Sequence, residues 1–204
     1  MEDDVKKVSQ RRISRIDKRQ RILEAAISVF ANKGYSNATI ADVAKKAKIA
    51  SGTVYLYFQN KDDLLVKCMH ELMDSKLTEI KAEIENSPSA REAIYLFFVK
   101  HIELFTKNPD FARFMVVEIR QSAEFYERYP SFNPLNEYIE YVQALAEKAV
   151  LEKSMKDLDP RALALLIIGA MDLTLTQWLI GGQTFDLQTM TDNIRMILRL
   201  GTTP

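Results

Sequence analysis

Residues 39–58 read Thr39-Ile-Ala-Asp-Val-Ala-Lys-Lys-Ala-Lys-Ile-Ala-Ser-Gly-Thr-Val-Tyr-Leu-Tyr-Phe58, and this stretch decides the fold. Ile40, Val43, Ala44 and Ala47 recur at the spacing of one face of a short helix. Thr39 can cap its start, and Lys48-Ile49-Ala50 breaks it. Ser51 then opens a helix running to Phe58, which must bury Val54 and Phe58 and leaves Ser51, Thr53, Tyr55, Leu56 and Tyr57 near its outer face. Two short helices across a tight turn read as a helix-turn-helix, whose second helix enters a DNA major groove. Ser51 and Gly52 are small enough for that helix to sit deep. Thr53 and Tyr55 can reach base edges or phosphates, and Leu56 a thymine methyl. Thr39, Tyr57 and Lys61 suit backbone phosphates.

Upstream, Ile22, Ala26, Val29 and Phe30 form a further amphipathic helix that stops at Lys33-Gly34, with a basic last turn and a glycine cap. These helices make one small unit over residues 15–61, preceded by a flexible basic arm over 1–14. The chain has 28 basic and 28 acidic residues, yet they are unevenly placed. Residues 1–61 carry 13 Lys or Arg and six Asp or Glu, so that head is +7 and residues 62–204 are −7. A basic head on an acidic body fits either a polyanion partner for the head or a lysine-rich solvated surface.

Downstream, apolar periodicity predicts helices over 62–85, 89–107, 110–121, 134–153, 160–180 and 186–200. With 204 residues, 47% of them hydrophobic, and only six Gly and six Pro, the chain is expected to be all-α. That composition excludes a wholly disordered chain and disfavours a β-sandwich or barrel. Cys68 is the single cysteine, which rules out an intramolecular disulfide or a cysteine-based zinc site and fits a reducing, cytoplasmic setting. The first 20 residues lack the apolar core of a signal peptide. Residues 162–180 are apolar enough to suggest a membrane span, but Asp172 and Gln177 interrupt them, so a buried helix and no membrane are expected.

The segments Phe30-Ala-Asn-Lys-Gly-Tyr-Ser-Asn-Ala-Thr-Ile-Ala-Asp-Val-Ala44 and Gly52-Thr-Val-Tyr-Leu-Tyr-Phe-Gln-Asn-Lys-Asp-Asp-Leu64 resemble the N-terminal signature of TetR-family transcriptional regulators. The resemblance is dense over residues 18–66. It implies a double-stranded DNA operator as partner, read by Ser51, Gly52, Thr53, Tyr55, Leu56 and Tyr57, with Lys61 on a phosphate. It also implies a homodimer on a pseudo-palindromic site, with half-site centres about 34–36 Å apart when they are one helical turn apart. The basic residues Lys6, Lys7, Arg11, Arg12, Arg15, Lys18, Arg19 and Arg21 either follow the minor groove or backbone, as such arms do in some members, or form a solubilising tail. Each neutralised phosphate would steepen the log–log salt dependence by about 0.9.

Residues 62–204 then become an effector-binding and dimerisation body. The 160–180 and 186–200 helices are apolar on several sides and need more neighbours than one chain supplies, which a two-fold interface provides. The middle helices carry many aromatics, most of them ordinary core. His101 shares a face with Phe97 and Phe105, and is either a satisfied core histidine or a ligand contact. With Phe114, Arg120, Gln121, Tyr141, Met171, Thr174 and Trp178, these residues form the candidate site for a small hydrophobic effector. Glu118-Ile-Arg-Gln-Ser122, Asp159-Pro-Arg161, Gly169-Ala-Met-Asp-Leu-Thr-Leu-Thr-Gln-Trp178 and Phe185-Asp-Leu187 resemble the acyl-CoA-responsive fatty-acid-degradation repressors of the family. That narrower resemblance implies release from DNA by long-chain acyl-CoA, with Arg120 near the phosphates. The alternative is an efflux-gene repressor induced by bulky hydrophobic drugs. A nucleoid protein without effector fits the partly polar body poorly. No catalytic or metal-binding motif accompanies His70 and His101, the only histidines, so neither an enzyme nor a cofactor is expected.

Overall fold

The computed structural model describes residues 2–118, 127–130, 132–156, 158–182 and 186–200, and among them no strand occurs. Helix α1 spans Glu2–Lys33, α2 Ile40–Ala47, α3 Ser51–Val54, α4 Lys61–Ile84 and α5 Ala90–Thr106. Helix α6 spans Pro109–Arg113 and passes into a π-helical turn over Phe114–Glu118. Helix α7 covers Asn136–Leu151, α8 Pro160–Ile180 and α9 Leu187–Leu200.

Three sequence expectations change. The arm expected to be flexible over 1–14 is helical from Glu2, because neither Gly nor Pro interrupts residues 2–33 and the ladder of α1 simply continues. The helix expected from Ser51 to Phe58 has one regular turn. After Val54 the chain tightens, with Leu56 N–H bonding to Thr53 O at 3.2 Å and Tyr57 N–H to Val54 O at 3.0 Å. The helix expected over 110–121 widens at Phe114, where Phe114, Met115 and Val116 are all buried in succession. A regular helix would turn one of three consecutive side chains outward.

Helix α2 begins with a reciprocal capping box. Asp42 N–H donates to Thr39 Oγ1 at 3.2 Å, and Thr39 N–H to the Asp42 carboxylate at 3.1 Å. Lys33 adds a 2.5 Å bond to the same carboxylate, so these donors together hold Asp42 at about 2. The head closes on Ile22, Phe30, Val43, Val54 and Phe58, all almost fully buried. Helices α4 to α8 enclose a larger core built on Phe97, Phe98, Phe105 and Tyr138, while α9 is fixed to α5 by Arg195, which bonds Glu92 at 2.8 Å and lies over the Tyr95 ring.

The joint between head and body sits at the first turn of α4. Asn60 caps it, accepting from Asp63 N–H at 2.8 Å. The Lys61 ammonium donates to the carbonyls of Tyr35, Ser36 and Ala38 at 2.9–3.3 Å and lies over the Tyr35 ring. Replacing Lys61 by Met removes three charge-assisted bonds and is expected to cost about 1–3 kcal/mol, read as a lower urea midpoint with an unchanged slope.

Candidate nucleic-acid interface and effector cavity

On the outer surface of the head, Leu56 is 74% and Tyr55 57% exposed, two adjacent large side chains open to solvent. Ser51, Gly52 and Thr39 are exposed as well, and Thr53 is half-buried. Val54 and Phe58 turn inward as their spacing requires. A Cβ added at Gly52 would meet no atom within 4 Å, so nothing inside the fold demands glycine there. Exposed Lys45, Lys46 and Lys48 lie at the C-terminal end of the neighbouring helix, on the chemistry that phosphate contact uses.

Two expected contacts have roles inside the head. Lys61 donates to the carbonyls of the 35–38 turn and so also ties that turn to α4. Tyr57 is half-buried and packs against the core beside Phe58, their rings 6.4 Å apart, because the tightened chain after Val54 rotates it inward. Thr39 is exposed, and its hydroxyl serves the capping box.

Between the head and the body runs a set of polar links that the sequence did not announce. Asp62 accepts from the Tyr35 hydroxyl and pairs with Arg128 at 3.2 Å. Burial and the Asp62 carboxylate together push the Tyr35 phenol far above its usual range. Arg19 of α1 makes a two-point bond to Glu71 of α4 and lies over Phe58. Ser28 reaches Asp110 at 3.1 Å, and the Phe30 ring stacks on Phe114 at 5.7 Å.

In the body a small cavity is bounded by Met73, His101, Phe105, Met115, Val116, Leu135, Tyr138, Ile168, Met171, Asp172 and Leu175, with a free volume of about 20 Å³. That is room for about one water-sized group. Of the candidate effector residues, His101, Phe105 and Met171 line it, and Phe97 backs the His101 ring at 6.4 Å. Phe114 does not; it faces α1 and Phe30, because the widened turn after α6 carries it to the head side. Tyr141 lies in a separate open cleft of about 470 Å³, beneath Lys81. Thr174 and Trp178 are buried on α8 without lining the cavity. Arg120 and Gln121 lie outside the described residues.

Sequence reasoning missed Met73, Met115, Leu135 and Tyr138, since apolar residues on a helix face carry no signal of which ones border empty space. The polar groups at this cavity are unusual. Among the described residues, His101 Nδ1 and Tyr138 Oη, whose side chains line it, and Thr174 Oγ1 behind its wall on α8 have no hydrogen-bond partner, a rare condition for polar atoms in a core. Burial alone drives the His101 pKa down to about 3, so the ring is neutral. A second cleft of about 550 Å³ opens beside α4, lined by His70, Asp74, Tyr129, Phe132 and Glu137 among others, and shares Met73 and Tyr138 with the small cavity.

The profile described as "Bacterial regulatory proteins, tetR family" matches residues 22–68. That described as "YsiA-like protein, C-terminal region" matches residues 69–201. The fatty acid metabolism regulator protein of Bacillus subtilis is 29% identical over 186 residues, covering 90% of this chain and 95% of that one. Among solved structures, the B. subtilis transcriptional regulator FadR in complex with stearoyl-CoA superposes with a TM-score of 0.81 at 28% identity, over 90% of this chain and 99% of that chain. The fatty acid degradation regulator FadR of Bacillus halodurans gives 0.81 at 26%, with the same coverage.

The depressed His101 pKa fixes a pH dependence. Unfolded, the ring takes up a proton below its ordinary 6.5; folded, it does so only near 3. The unfolded state therefore binds more protons between those values, and stability is lost as pH falls through that window. The wild-type chain is expected to lose up to about 1.4 kcal/mol more per pH unit there than His101→Leu. Parallel urea titrations of both proteins from pH 7 to 4 would show this, and equal slopes would contradict it.

Proposed function

The chain belongs to the TetR family of bacterial regulatory proteins, and from that membership we propose that it is a cytoplasmic, DNA-binding transcriptional repressor released by long-chain acyl-CoA. One observation carries the effector: the likeness to the regulator whose structure holds stearoyl-CoA extends through the body, at a TM-score of 0.81. The family and these relatives are regulators, not enzymes.

Operator contact falls to the N-terminal end of α3 and the turn after it. Ser51 and Gly52 let the backbone approach the groove, and Tyr55 and Leu56 face base edges. Gly52→Ala separates this role from folding, because the added methyl meets nothing inside the chain. It is expected to leave stability unchanged or raise it by about 0.5–1 kcal/mol, while weakening operator binding at least tenfold.

The homodimer is the natural cover for an apolar stripe on the last two helices. Leu165, Leu166, Leu173 and Ile180 of α8 and Met196 and Ile197 of α9 are each at least half exposed, more apolar surface than a soluble monomer leaves to water. Gly169 lies on the same face, and a Cβ there also meets nothing within 4 Å. Helix α8 is long and apolar enough to cross a membrane by composition, but one face is buried in the body core and the other suits a second copy. Leu166→Glu is expected to give a monomer in light scattering and to lose operator binding with it.

The body cavity is too small for an acyl chain as it stands. Met73, Met115 and Met171 border it, and methionine side chains re-pack at low cost. Opening it moves Met73, which α4 carries, and α4 begins at the joint with the head. The second link is Arg128 on Asp62, since residues just beyond Arg128 wall the adjoining cleft. An effector that loosens operator binding a hundredfold must favour the released state by about 2.7 kcal/mol. Fluorescence anisotropy of DNA from upstream of the chain's own gene tests the reading. Tight binding reversed by hexadecanoyl-CoA but not by hexadecanoate is expected; binding indifferent to acyl-CoA would remove the effector and leave the regulator. Asp62→Asn is expected to keep operator affinity within threefold while raising the acyl-CoA concentration needed for release.

A further inference from the structure

Two of the three polar atoms near the cavity that lack a partner among the described residues belong to side chains that line it, His101 and Tyr138. Their rings meet edge to face with centroids 5.4 Å apart, and no bond joins them. A neutral imidazole nitrogen and a phenol hydroxyl, 5% and 1% exposed by residue, gain nothing from a plain hydrocarbon. Whatever enters this cavity with only methylenes leaves both bonds unmade, and buried unmade bonds are what sites use to reject the wrong ligand. A hydroxyl is one donor and two acceptors, so a single such group completes both. The space of about 20 Å³ is the size of that group.

Position along the ligand follows from the walls. Tyr138 and Met73 border the small cavity on one side and the open cleft of about 550 Å³ on the other. His101 and Tyr138 therefore stand one side chain in from solvent, at the threshold. A charged, bulky head group stays outside a space this small and apolar, so the carbons that first pass the threshold are those beside the thioester. We propose that the His101–Tyr138 pair selects acyl-CoA effectors bearing a hydroxyl on the third carbon of the chain, which donates to His101 Nδ1 and accepts from Tyr138 Oη. The saturated tail beyond it occupies the space that Met115 and Met171 vacate. This selectivity rests on the acyl-CoA reading above.

The test is calorimetric titration of the full chain with hexadecanoyl-CoA and with 3-hydroxyhexadecanoyl-CoA, both below their micelle concentrations. The wild-type chain is expected to bind the hydroxylated ligand at least tenfold more tightly. Tyr138→Phe removes only a hydroxyl that has no partner among the described residues, so the fold is expected to be retained, as its melting curve should report. It is expected to shrink the preference below threefold while hexadecanoyl-CoA binds as well as before or better; His101→Leu should act in the same direction. Equal affinities in the wild-type chain, or a preference that survives both variants, would overturn the selectivity and leave the acyl-CoA reading intact. Binding of neither ligand would overturn both.

Discussion

The first turn of α4 is the point on which the rest of the structure depends. Its Lys61 ammonium gathers three carbonyls of the 35–38 turn, its Asp62 carboxylate stands between the Tyr35 hydroxyl and Arg128, and Asn60 caps its free amides. Each bond alone is modest, but they share one short segment, so the turn between α1 and α2 cannot move without α4. Twelve residues further along, about 18 Å at helical rise, the same helix places Met73 at both the open cleft and the small cavity. The head joint and the cavity wall therefore lie on one continuous helix.

Helix α1 gives that helix a brace. Arg19 grips Glu71 from the head side, and Phe30 stacks on Phe114 at the widened turn after α6. The π-helical turn is therefore more than an irregularity of packing. It turns Phe114 away from the body cavity to meet α1, while Met115 and Val116, the next two residues, line the cavity. Cavity and head thus meet across three consecutive residues. Cys68 lies buried against Leu23 within this brace, its thiol pushed well above its ordinary pKa, which suits a packing residue and not a reactive one.

Much of the fold was legible because it is local. The apolar spacing of Ile40, Val43 and Ala44, the cap at Thr39, and Pro160 behind Asp159 are short-range patterns, and the helices form within a few residues of where they point. Boundaries failed where the decision is tertiary: nothing in Ser51–Phe58 says that the helix tightens after Val54, or that the turn at Phe114 widens. The head's outward residues were readable because exposed Tyr55 and Leu56 break the amphipathic pattern. The effector site was only partly so. His101 stands out as a polar residue on an apolar face, but Tyr138 reads as an ordinary core aromatic, and its missing hydrogen bond exists only once α5 and α7 are packed together. Lys61 carries a role that its position at a helix start did not announce: its ammonium gathers three carbonyls of the 35–38 turn.

If opening the cavity displaces α4 as proposed, the spacing of the two heads in a dimer shifts with it. The most direct measurement is the distance between spin labels placed at exposed Lys45 in both copies, via Lys45→Cys, by pulsed electron resonance with and without hexadecanoyl-CoA. Cys68, buried in the core, is left unlabelled. A single distance distribution is expected in the operator complex and a shifted or broadened one once acyl-CoA has released the DNA. An unchanged distribution in protein that has demonstrably let go of its operator would contradict that shift.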